Sequence, residues 1–183
     1  MVRPERTLGF TLLELLSALA VLGILVTLAA PMAGRFRARA QSLQCASNLK
    51  GLGAGVGAYL TEHNNCWPQI FAEKTQSPSG GESPQTATAR QWILALSPYG
   101  TTEKTWRCPT IEAKIASDGT SIALQRQRID YVPTPFGSEP GSAHQWPNHP
   151  WFTERSPNHG LGPKFLLTNG RVVSMEDLLK ELP

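Results

Sequence analysis

Three cysteines, three clustered histidines and one carboxylate at the lip of an apolar run are the residues of this 183-residue chain whose types and spacing could do chemistry. Thiols join or bind a soft metal only where folding brings two sulfurs together, and Cys45, Cys66 and Cys108 are an odd set. Along an unbroken helix Cys45 and Cys66 stand about 31 Å apart, far beyond the Cα separation of about 7 Å that a disulfide permits. Any intrachain pair must therefore contain Cys108, with either Cys45 or Cys66; an all-reduced state is the third alternative. No C-x-x-C is present, which argues against a redox enzyme. His144, His149 and His159 lie among Trp146 and Trp151. They offer a zinc or aromatic-ligand pocket, but the spacing is loose and no Cys or carboxylate cluster joins them, so loop packing is the expectation and no metal, cofactor or catalytic residue is assigned. Asp118, Asp130 and Asp177 form no oxygen-rich calcium loop, and no nucleophile elbow, phosphate loop or zinc-protease motif occurs.

The carboxylate is Glu14. Leu15 to Gly34 carries no charge; as a helix it would be about 30 Å long, close to the hydrocarbon thickness of a bilayer. A membrane-inserting helix is expected. A cleaved secretory signal is the rival, because Arg3 and Arg6 precede the run and Ala29, Ala30 and Ala33 close it, but the run exceeds the usual signal core. Glu14 would cost up to about 3 kcal/mol at the centre of such a helix and less near its end. The helix dipole returns a few tenths to about 1 kcal/mol. A cationic partner answers the remainder: a cut between Gly9 and Phe10 would create an amine four residues away, within one helical turn or available to a neighbouring copy.

Gly9-Phe10-Thr11-Leu12-Leu13-Glu14, after a short basic leader and before a long apolar helix, resembles the prepilin cleavage and methylation motif of type IV pilins and type II secretion pseudopilins. Pro31 lies 21 residues beyond Phe10, where that family commonly carries a helix-kinking proline. The resemblance implies that a prepilin peptidase recognises Gly9, that Phe10 becomes the N-methylated first residue, and that Glu14 neutralises the Phe10 amine of an adjacent subunit. It also implies a cytoplasmic N-terminus. The positive-inside rule does not support that orientation, since Arg35, Arg37 and Arg39 outnumber Arg3 and Arg6.

Pro31 removes one backbone hydrogen bond and bends the helix without ending it. Cys45, Leu49, Leu52, Val56, Tyr59 and Leu60 then recur at the period of one helix face. From Phe10 to about Thr61 the helix would run for roughly 75 Å. Gly51, Gly53, Gly55 and Gly57 interrupt it, each at a cost of about 1 kcal/mol, and are read mainly as sites of close packing. Asn64-Asn65 and Trp67-Pro68 end it.

Downstream, Ser77 to Thr88 reads as an exposed loop and "ATARQWILALSPYG" as a short helix. "TWRCP" and "SIALQRQRIDYVP" read as strands, and the proline-rich stretch from Pro133 to Pro163 as mostly irregular loop. Asn169-Gly170 marks a two-residue type I′ hairpin turn, and Ser174 with Asp177 marks a cap before a final helix. The head is therefore expected to be α+β, with a short antiparallel sheet packed against a long N-terminal helix in the pilin manner.

A second resemblance covers the whole chain. "CASNLKGLGAGVGAYLTEHNNCWP", "WRCP", and His159 followed after nine residues by Asn169-Gly170 are similar to pseudopilin-like proteins of planctomycete and verrucomicrobial bacteria, whose C-terminal signature is His, nine residues, Asp-Gly. Asn169 here replaces the Asp, and Arg171 stands where that group often has His; both changes suit a turn and weaken a metal or catalytic role. The resemblance favours Cys45 with Cys108 as the disulfide pair, because both positions are ones where the group often has Cys.

The expected organisation is a leader at 1–9, a transmembrane and filament-core helix at 10–34, its amphipathic continuation at 35–62, and a periplasmic or extracellular head at 63–183. All five tryptophans, Trp67, Trp92, Trp106, Trp146 and Trp151, fall in that last part. Net charge is only +3 and cations are scattered apart from Arg35, Arg37 and Arg39, so no nucleic-acid face is expected. By resemblance the chain is a non-enzymatic filament subunit of a secretion or pilus system in the bacterial inner membrane. Its implied partners are a prepilin peptidase, other pilin or pseudopilin subunits and an inner-membrane assembly platform. The rival reading is an anchored or secreted binding module or hydrolase using the 144–159 loop.

Overall fold

The steps of four and three between Cys45, Leu49, Leu52, Val56 and Leu60 put these five side chains on one face, and that face is sealed: each is at most 2% exposed. The computed structural model describes residues 11–70, 83–118, 128–155 and 162–181, without the side chains of 29–31. The chain divides into two units, Met1–Ala38 and Arg39–Pro183. Helix α1, Leu12–Glu62, crosses from one into the other. In the first unit its leucines, valines and isoleucine are all exposed. No single helix among the described residues passes as long and apolar enough to cross a membrane; Leu12–Leu28 and Met32–Glu62 pass together as a bent pair.

In the second unit α1 ends where the sequence predicts. Asn64 and Asn65 both take the left-handed conformation, at φ 51° and 59°, which asparagine tolerates better than most residues. The Asn65 N–H then reaches back to the Leu60 carbonyl at 2.7 Å and closes the last turn. The glycines of α1 are close-packing sites in part. A Cβ on Gly53 would come within 2.7 Å of Leu166, and one on Gly55 within 2.5 Å of Thr101, whereas Gly57 has nothing within 4 Å.

Beyond α1 come α2 (Pro84–Leu96), α3 (Pro109–Ser117), β1 (Tyr131–Pro133), β2 (Pro150–Glu154), β3 (Lys164–Leu167), β4 (Val172–Ser174) and α4 (Met175–Glu181). The four strands form an antiparallel sheet in the order β1-β2-β3-β4, with Tyr131 opposite Glu154, Phe152 opposite Leu166 and Phe165 opposite Val173. Alternation along β3 divides the core. Leu166 faces the main cluster with the α1 stripe, Trp67, Trp92, Trp106 and Phe152, while Phe165 and Leu167 face the other way and pack with Val173 and Leu178 of α4. The expected α+β architecture is the one observed.

Several local expectations are corrected. "TWRCP" is no strand: Glu103–Trp106 is a 3₁₀ turn and Cys108 is the N-cap of α3. Thr105 Oγ1 accepts the Thr102 N–H at 3.2 Å and holds that turn, while Pro109 suits a first helical position because it has no N–H to leave unpaired. Helix α2 begins at Pro84, inside the expected loop, because Ser83 Oγ accepts the Thr86 N–H. The rest of that loop up to residue 82 lies outside the described residues, as do 121–127 of the second expected strand; its described end supplies Tyr131–Pro133. The proline-rich stretch contains a whole strand, β2, with Pro150 as its first residue, where a missing donor does least harm. The Asn169-Gly170 turn does join β3 and β4, but only Gly170 takes positive φ, 79°. Its N–H bonds the Leu167 carbonyl, so the connection is a longer turn ending on a left-handed glycine, with Asn169 Oδ1 accepting the Arg171 N–H.

Candidate functional site

Two places carry the chemistry. The first is the start of α1. Thr11 caps it through its carbonyl, which accepts the Glu14 and Leu15 N–H groups at 3.1 and 3.2 Å, and its hydroxyl also accepts from Glu14 at 3.3 Å. Glu14 is thereby fixed in the first turn, exposed, at the positive end of the helix dipole. Around it Leu12 and Leu13 are 83% and 78% exposed. Ser17 and Thr27 satisfy their hydroxyls by donating to the Glu14 and Ile24 carbonyls. Gly9 and Phe10 lie outside the described residues, and Pro31 lies within α1 with its side chain undescribed.

The second place is buried in the head. Cys45 projects from the α1 stripe and Cys108 from the cap of α3, and their sulfurs stand 3.3 Å apart, Cys45 donating. Both side chains are 0% exposed. Glu154, at the end of β2 and 2% exposed, places Oε1 3.6 Å from Cys108 Sγ and accepts the Lys164 N–H on Oε2 at 3.2 Å. Asp130 accepts the Cys108 backbone N–H at 2.8 Å and the Arg128 guanidinium at 2.6 and 2.8 Å, which anchors the cap of α3 to the sheet. Asn48, one turn along α1 from Cys45, donates to the Arg107 carbonyl and to the Tyr131 hydroxyl.

The two sulfurs are not equivalent. The Cys45 S–H, then the N–H groups of Ile111 and Thr110 at the start of α3, hold the Cys108 thiol down to about 6, against burial and the nearby Glu154 charge. Cys45 is pushed above its ordinary value, first by its hydrogen bond to Cys108 and then by burial. Burial, and next the contact with Cys45, likewise pushes the Tyr131 hydroxyl up. Among the described residues, Cys45, Cys108 and Glu154 are the three metal-type ligand side chains whose donor atoms gather within 4.8 Å.

The histidine and tryptophan loop does not converge in this way. Trp151 belongs to the core and donates its indole N–H to the Ala143 carbonyl; His144 packs on its edge, with ring centres 5.2 Å apart, and His149 on Phe136 at 5.6 Å. Trp146 is exposed, and His159 lies outside the described residues. Asp130 serves the α3 anchor; Ser174 caps α4, its Oγ accepting the Asp177 N–H, and the Asp177 carboxylate accepts from the Ser174 hydroxyl. Cys66 lies in the turn beyond the C-terminal end of α1, 21 residues after Cys45. Sequence reasoning missed Glu154 and Asp130, although the Arg128-x-Asp130 spacing before Tyr131 was a signal for the latter.

The family model for the prokaryotic N-terminal methylation motif matches residues 6–30. The chain is similar to the type IV major pilin protein PilE1 of Neisseria gonorrhoeae, 26% identical over 121 residues, which is 66% of this chain and 50% of the relative. The chain thus matches about half the length of that curated relative. No solved structure matches. The motif, the long helix that follows it with Glu14 in its first turn, and the likeness to a major pilin together support a type IV pilin-like protein.

Proposed function

We propose that the chain is a structural subunit of a type IV pilus-like or type II secretion filament, made as a prepilin. A prepilin peptidase cuts between Gly9 and Phe10, Phe10 is N-methylated, and the N-terminal helix holds the subunit in the inner membrane, head outward, until an assembly platform loads it. The observation that carries this reading is the methylation motif over 6–30, running directly into a helix whose apolar side chains are exposed. An apolar surface of that extent needs lipid or other helices around it.

Assembly then exchanges lipid contacts for helix–helix contacts. Glu14 gains the Phe10 amine of a neighbour, which fixes the axial register of one subunit on the next, the best-attested use of a buried charge. Intact mass and N-terminal sequencing of the protein from its native membrane test the reading: N-methylated Phe10 is expected, and a chain beginning after Ala30 or Ala33 would instead mark a secreted protein. Glu14→Leu is expected to insert normally and to assemble at least about tenfold less, the effect of losing only 1.4 kcal/mol of subunit contact. Filaments of undiminished yield in pull-down or microscopy would remove Glu14 from the register role.

A further inference from the structure

The geometry points to an intrachain disulfide between Cys45 and Cys108 that clasps helix α1 to the cap of α3, with Cys66 left as a thiol. Two observations converge on that pair. Both sulfurs are fully buried and 3.3 Å apart, so only a small displacement separates them from a bonded S–S distance of about 2.05 Å. Their backbones are held from both sides: Asp130 pins the Cys108 N–H, and Asn48 ties α1 to the Arg107 carbonyl beside it. Cys66 is 3.7 Å from the Asn64 carbonyl, in the turn after α1, and shares no contact with either.

The oxidant is an external disulfide, of a small thiol or of an oxidoreductase. The Cys108 thiolate attacks it and forms a mixed disulfide, releasing the first thiol. The Cys45 sulfur then displaces the second. One S–S bond is broken and one formed; two electrons pass from the cysteine pair to the external disulfide, and the two cysteine protons end on the released thiols. Because neither sulfur is exposed, exchange takes place before α3 closes on α1. Once closed, the bond is shielded from reductant by the Trp106, Tyr131 and Leu49 side chains of the same core. The supply of oxidant rests on the proposed outward placement of the head; the pairing does not.

Purified full-length chain in detergent, refolded with glutathione disulfide, separates the two. After denaturation and alkylation, one cysteine is expected to react and a mass loss of about 2 Da to map to the Cys45–Cys108 peptides; three reactive cysteines, a link through Cys66, or a zinc ion bound in place of the bond would overturn the clasp. The native oxidised chain is expected to resist millimolar glutathione that reduces it fully in urea; equal reduction in both overturns the shielding. The Cys66→Ser chain is expected to give the same cross-link, and its loss would also overturn the pairing. Acid-trapped cells then read the compartment: a cross-link formed in the tube and absent from cells counts against the outward head and leaves the pairing standing.

Discussion

Glu14 and Cys108 are both acids placed at the start of a helix, and their surroundings give them different work. Glu14 is exposed on an apolar helix and can be satisfied by a charge from another chain; Cys108 is sealed, and its partner is a sulfur of its own chain. Asp177 is a third case. The Ser174 hydroxyl, then the Ser174 N–H, hold its carboxyl below the usual range. A carboxyl whose folded value is depressed stabilises the fold above its unfolded value, and that contribution disappears as pH falls through the folded one. Ser174→Ala is expected to bring the Asp177 titration, followed by NMR, up toward the ordinary carboxylate range, and to cost about 1 kcal/mol as a lost cap.

Among the elements, α1 has the densest assignment of roles. Its glycines share one residue type and have different neighbours, which makes their substitutions diverge. Gly57→Ala is expected to raise stability by about 1 kcal/mol, the helix propensity of alanine, because nothing stands within 4 Å of the new methyl. Gly55→Val is expected to lower it by about 2 kcal/mol, since the side chain would enter the space held by Thr101 Cγ2 at 2.5 Å. Urea midpoints of the full chain in detergent read both, and the same sign at the two positions would mean that the contact between α1 and the 99–101 segment is not made. Much of α1 was legible beforehand: its apolar period, its glycines and its Asn-Asn end are local features read one turn at a time. The sheet was less so. β2 was hidden by the prolines around it, and "TWRCP" has strand-like composition while Thr102, Thr105 and Pro109 commit it to a turn and a helix cap.

At the scale of the molecule, the unit from Arg39 onward packs a cluster of aromatic rings together with the apolar stripe of α1. Trp67 lies within 6.1 Å of four rings, those of Trp92, Phe136, Trp151 and Phe152. Such a head gains from a covalent tie. A loop of the length between Cys45 and Cys108 is worth about 4 kcal/mol in the chain-entropy account, so Cys45→Ser is expected to lower the unfolding midpoint of the oxidised protein and to leave that of the reduced protein nearly unchanged.

The sequence by itself determined the parts that depend on order and period: the motif from Gly9 to Glu14, the acid one turn into an apolar helix, the apolar stripe from Cys45 to Leu60, and the Ser174 cap. These are set by residues within a turn or two of one another, where spacing is geometry. Which cysteine meets which, and that Glu154 and Asp130 join them, depends on how β1, β2, α3 and α1 pack. Residues 63 and 46 positions apart come into contact there. Spacing along the chain carries no information at that range, because only packing of the folded core brings such residues within bonding distance.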